Sequence, residues 1–117
     1  MNSLPLVVWN ADGHQFALET GKVNRLIPYD AELACLHLHQ LMPELHQETA
    51  NFCLGWSCHD QQYWLTTQDE PLHYQLALEQ LWPLPASLQL AKQHPAIRAL
   101  AWMNQRPLLI LDPYQLV

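Results

Sequence analysis

"HPAIRALAWMNQRPLLILDPYQL", residues 94–116, is the stretch whose reading decides the fold. It divides into "AIRALAWM", a two-residue break at Asn104 and Gln105, and "RPLLILD", followed by a closing "PYQLV". Side chains alternate across a strand, so Ala99, Ala101 and Met103 share one face while Leu100 and Trp102 share the other. Both faces are apolar. A half-wetted hairpin would alternate apolar with polar, so this pair is expected to be buried on both sides or to lie at a barrel seam.

The same logic extends towards the N-terminus. "LPLVVW" is a short β-rich run, "NADG" is a turn in which Gly13 is free to take positive φ, and "HQFALET" resumes with Phe16 and Leu18 on one face. That describes a hairpin. "NFCLGWS" and "QQYWLTT", joined by "CHDQ", describe another, with Phe52, Leu54 and Trp56 on one face and Tyr63 and Leu65 paired likewise. Between them "KVNRLIP" reads as a turn leading into a strand that stops at Pro28, and "LHYQL" reads as one more strand. "ALEQLW" and "SLQLAKQ" are expected to be short helical pieces, each ended by a proline. The fold class is therefore mainly β, built from hairpins with a few short helices.

"AELACLHLHQLMPELH", residues 31–46, is ambiguous. Ala34, Leu38, Leu41 and Leu45 fall at helical spacing behind Asp30, a good N-cap residue, and Pro43 would kink or end such a helix. In a strand, Cys35, His37 and His39 would instead share a face. Helix is favoured from about His37 to Met42, and residues 31–36 stay open between helix and strand. A zinc site wants three or four such ligands in tetrahedral array, and Cys58 with His59 of the second hairpin turn could complete one from this set. A metal-binding or thiol-dependent protein using Cys35, His37, His39, Cys58 and His59 is thus the alternative reading. The spacing fits no standard zinc motif, so neither metal, cofactor nor catalytic residue is expected.

Length and composition narrow the function classes. At 117 residues the chain is expected to be one domain, 1–117, and half its residues are hydrophobic, enough for a modest core without disulfides. A formal charge of −6 removes the broad attraction to nucleic acid or anionic lipid, so neither is expected as a partner. Three cysteines without framework spacing, and an N-terminus without a basic region and long apolar run, point to a cytoplasmic chain with reduced thiols. Its three isolated glycines cannot form a phosphate loop or dinucleotide fingerprint. Trp56, Trp64, Trp82 and Trp102 sit in apolar runs suited to a core. Trp9, at the end of the first strand, and Trp64, whose face also carries Gln62 and Thr66, are the residues expected to bind a partner.

In order and spacing these segments resemble the CheW-like domain, the coupling module of bacterial chemotaxis. "LPLVVWNADGHQFALETGKVNRLIP" looks like that family's first hairpin and the strand after it, and "QQYWLTTQDEPLHYQLALEQLWPLP" is similar to its later strands with their "lP" ending. "HPAIRALAWMNQRPLLILDPYQL" is similar to the family's finish, with Leu109, Leu111 and Asp112 at its "lilD" positions and Ala99 where glycine is common. Two departures stand out. Thr67 and Gln68 replace the usual "VD", and the family's central "GvinlRG" segment has no counterpart. "LACLHLHQLM" looks like what normally follows that segment, with His37 at its aspartate position. The resemblance implies two small SH3-like β-barrel subdomains, the first truncated or remodelled. It also implies a non-enzymatic scaffold or regulator in chemosensory or two-component signal transduction. By the same resemblance the partner would be a chemotaxis-type histidine kinase or receptor. A trimmed first barrel would leave an exposed strand edge through which the chain could form a homodimer.

Overall fold

A computed structural model describes residues 2–82 and 94–117. The strands are β1 (Ser3–Ala11), β2 (His14–Glu19), β3 (Arg25–Pro28), β4 (Phe52–Cys58), β5 (Gln61–Thr67), β6 (Leu72–Ala77), β7 (Leu81–Trp82), β8 (Ile97–Met103) and β9 (Arg106–Leu111). The one α-helical turn among the described residues, α1, spans Leu38–Leu41. Two sheets result, a six-stranded one in the order β6-β1-β2-β9-β8-β7 and a three-stranded one in the order β3-β4-β5.

All three hairpins turn in two residues, and every turn residue has positive φ: Asp12 and Gly13, His59 and Asp60, Asn104 and Gln105. Such turns carry the backbone twist that matches the right-handed twist of the flanking strands. The first and third hairpins are joined side by side, because β2 pairs with β9 in parallel, Phe16 against Leu109. Their tips are clasped by side chains. The buried Gln15 amide donates to the carbonyls of Met103 at 3.0 Å and Pro107 at 3.2 Å, and Arg106 donates to the Gly13 carbonyl.

This central sheet serves two cores. On one face Leu6, Val8, Ala17, Leu76, Ala101, Met103, Leu108 and Ile110 form a single cluster, with Leu81 packed against it. Every strand of the sheet contributes, so the sheet curls around its own apolar side chains, and the turn at Leu78–Gln80 carries the chain from β6 at one end to β7 at the other. On the other face Val7, Trp9, Phe16, Leu18, Leu109 and Leu111 meet Leu54, Trp56 and Leu65 of the three-stranded sheet and Leu38, Met42 and Leu45 from around α1. Strand β9 is thus buried on both sides from Leu108 to Leu111, as its composition required. In β8 a bulge between Ile97 and Ala99 keeps Ile97 and Leu100 on the same face despite their odd spacing.

One expectation needs correction and one open reading is decided. The helix favoured from about His37 to Met42 is present as α1, and the helical alternative for residues 31–36 does not form. Asp30 instead closes a local turn, its carboxylate accepting from Glu32 N at 2.9 Å and its carbonyl from Leu33 N at 3.1 Å. "ALEQLW" is a single 3₁₀ turn at Leu78–Gln80 followed by the short strand β7, because Leu81 is needed inside the curled sheet. The helix expected at "SLQLAKQ" lies outside the described residues.

Truncating Leu109 to alanine, which empties part of the shared core, is expected to cost about 2–5 kcal/mol in denaturant unfolding. Trp102→Ala in the partner strand, at a half-exposed site, is expected to change stability by less than about 1 kcal/mol in the same assay.

Candidate interaction surface

Between β3 and α1 the chain forms a strap, residues 29–37, laid over the outer face of the three-stranded sheet. Leu54 and Leu65 pair across β4 and β5 and point into the shared core, so Cys53, Thr66, Gly55 and Trp64 point the other way. That outer face is apolar and must be covered. Leu36 forms a one-residue parallel bridge with Leu65, its N–H donating to the Trp64 carbonyl at 2.8 Å and its carbonyl accepting from Thr66 N at 3.0 Å. The residues on either side of Leu36 then fall on the outer face. Cys35 Sγ lies 3.7 Å from Cys53 Sγ, and His37 Nδ1 lies 2.8 Å from Thr66 Oγ1.

Residues 31–36 are therefore neither helix nor regular strand, and α1 begins directly after His37. The remaining outer face is closed by Arg25, whose guanidinium sits 5.7 Å from the Trp64 ring centre. Gly55 lies beneath that ring, and a Cβ there would come within 2.8 Å of it.

The alternative ligand set does not assemble. Among the described residues no group of three or more His, Cys, Asp or Glu side chains is placed to hold a metal ion. Cys35 and His37 sit over the Cys53 end of β4, whereas Cys58 and His59 lie at its far hairpin end beside Tyr114. Five residues of extended chain separate those ends by about 17 Å. Nor is Cys35 an activated nucleophile. Burial and the neighbouring Cys53 thiol push its pKa up to about 11, the opposite of the shift that makes a thiolate. His46 is used elsewhere, taking the Asp12 carboxylate at 3.0 Å, and His94 pairs with Glu44 at 2.9 Å.

The two tryptophans expected at a partner-binding rim are both covered. Trp9 is 2% exposed, because β1 lies inside the sheet between β6 and β2, and its ring stacks on Phe16 in the shared core. Trp64 is 7% exposed beneath Arg25. The exposed pair is instead Trp82, at 53%, and Trp102, at 40%. Trp82 pairs with Leu100 across β7 and β8, and Trp102 pairs with Pro107 across β8 and β9, so the two indoles flank Leu100 on one face. This is the outward continuation of the shared core, past the reach of the three-stranded sheet. The alternation in "ALAWM" put Leu100 and Trp102 on one face but held no sign of where the cover ends. A second apolar feature is a cleft of about 360 Å³ between Leu72–Tyr74 and Val8–Asn10, rimmed by Asp69 and Glu70.

The geometry matches that of a known scaffold. The crystal structure of the scaffolding protein TtCheW from Thermoanaerobacter tengcongensis superposes with a TM-score of 0.74 at 11% sequence identity, covering 97% of this chain and 92% of that one. The fold is CheW-like. No family model and no curated protein matches the sequence. The likeness therefore runs through architecture and covers nearly the whole chain.

Burial, and then the neighbouring His39, lower the pKa of His37, so the folded state resists protonating it. The sign follows directly. Stability is unaffected above the ordinary value of 6.5 and falls as pH drops below it, until the lowered folded value is passed. Urea melts at successive pH values should show wild type losing more stability than His37→Gln between neutral pH and about pH 5.

Proposed function

We propose that this chain is a non-enzymatic, cytoplasmic CheW-like scaffold or regulator that acts by protein contacts in a chemosensory or related two-component pathway. The observation that supports the reading is the likeness in fold, over nearly the whole of both chains, to a scaffolding protein. A chemotaxis-type histidine kinase, or a receptor of the same pathway, is the partner. Among the described residues no helix is long and apolar enough to cross a membrane.

Trp82 and Trp102 are the contact residues of this reading. Two half-exposed indoles around Leu100, with Pro107 exposed beside them, offer the rigid aromatic area that anchors interfaces. They also lie outside the cores, so removing them tests binding without testing folding. Titration calorimetry of the chain against the regulatory domain of a chemosensory kinase from the same genome should detect binding that survives a chelator. Trp82→Ala with Trp102→Ala should weaken it at least about tenfold at unchanged melting temperature. Failure to bind any chemosensory kinase or receptor of that genome overturns the proposal.

A homodimer through an open strand edge belongs to the same reading. Strand β6 ends the six-stranded sheet and pairs only with β1 among the described residues. Leu72, at 64% exposure, and Leu78, at 42%, lie at or just past its two ends. Two such edges can pair antiparallel about a two-fold axis. Light scattering at micromolar concentration should give twice the chain mass, and proline in place of Gln75 should return it to monomer.

A further inference from the structure

The contact between Cys35 and Cys53 is used by nothing described so far. Their sulfurs lie 3.7 Å apart although the residues are 18 positions apart in sequence. We propose that the two thiols are a redox-responsive pair that closes to a disulfide under a hydroperoxide and pins the strap at residues 29–37 onto β4.

The two sides of the contact are unequal in a way that suits this chemistry. Cys53 is fully buried in the central strand of its sheet, held between Ile27 of β3 and Thr66 of β5. Cys35 is partly exposed and belongs to an irregular segment whose only ladder contact is the bridge at Leu36. The rigid partner therefore fixes the position, and the strap supplies the shift of under 2 Å needed to reach a disulfide length of about 2.05 Å.

Exposure also orders the steps. The hydroperoxide meets Cys35 first, and its thiolate displaces one peroxide oxygen's leaving group to give the sulfenic acid, releasing water or an alcohol. The Cys53 sulfur then attacks the Cys35 sulfur, forming the S–S bond and expelling a second water. Overall, two thiols lose two electrons and two protons, and the peroxide O–O bond takes both. Burial and the adjacent thiol, which push the Cys35 pKa up to about 11, make the pair slow at neutral pH and faster in alkali. A pair of this kind ignores brief oxidant exposure and records a sustained one. Intracellular disulfides outside hyperthermophiles are mostly transient and redox-sensing, which is the role this placement suits.

The test uses the full chain carrying Cys58→Ser, so that the pair is the only source of thiols. After hydrogen peroxide, peptide mapping should find Cys35 linked to Cys53, with the intact mass lower by about 2 Da and both changes reversed by dithiothreitol. The rate of linkage should rise close to tenfold per pH unit from pH 7 to 10. Because the link closes an 18-residue separation in the unfolded chain, the melting temperature should rise by about 5 °C or more on oxidation. Cys35→Ser, at the less buried position, should abolish linkage without disturbing the fold, and Cys53→Ala provides the second control. Sulfinic acid at Cys35 without a link, linkage between chains instead of within one, or a link that leaves the melting temperature unchanged would each overturn the proposal.

Discussion

The parallel pairing of β2 with β9 is the contact on which the rest of the structure depends. It joins a hairpin near the N-terminus to one near the C-terminus, through contacts such as Gln15 to Met103 that span 88 residues. Neither flanking core exists without it, since Leu108 and Ile110 face one and Leu109 and Leu111 face the other. A strand buried on both faces has no solvent side to absorb a change, so its register is fixed from both directions. Contacts of such long range are slow to form, and the hairpins, closed by two-residue turns, are the local structure available to form first.

The second constraint is the cover required by the three-stranded sheet. One of its faces is satisfied by the shared core, but the other presents Cys53, Trp64 and Thr66, each of them buried. Among the described residues no regular strand lies over that face. The strap does so with a single ladder contact at Leu36, a thiol against a thiol, an imidazole against a hydroxyl, and an arginine laid on an indole. Each of these is weak alone. Together they bury the face at the expense of leaving the segment with little regular hydrogen bonding, and it is this looseness that gives Cys35 both its exposure and its freedom to move.

A likeness of this extent at 11% identity is physically reasonable. What the two chains must share is the apolar alternation, the short turns and the placement of strand ends, and many side-chain sets meet those demands. The likeness is one of fold, so any contact residues must be found on this chain's own surface. That surface differs from what its aromatic content suggests: Trp9, near the end of the first strand, lies in the core, and the exposed indoles stand on the outer face of β7 and β8.

Local pattern determined much of this. The turns at Asp12–Gly13, His59–Asp60 and Asn104–Gln105, the strands on either side of them, the double-sided burial of "LLIL" and the short helix after His37 all follow from neighbours a few residues apart. Alternation assigns each residue to a face, but a face is buried only if something lies over it, and that depends on residues distant in sequence. Hence Trp64 is covered because Arg25 is two strands away, Trp102 is exposed because the three-stranded sheet stops short of it, and the histidines after Asp30 never meet those residues of the second hairpin turn that would have made them ligands. The sequence by itself determined where strands run and turn; only the tertiary structure decided which of their faces meet water.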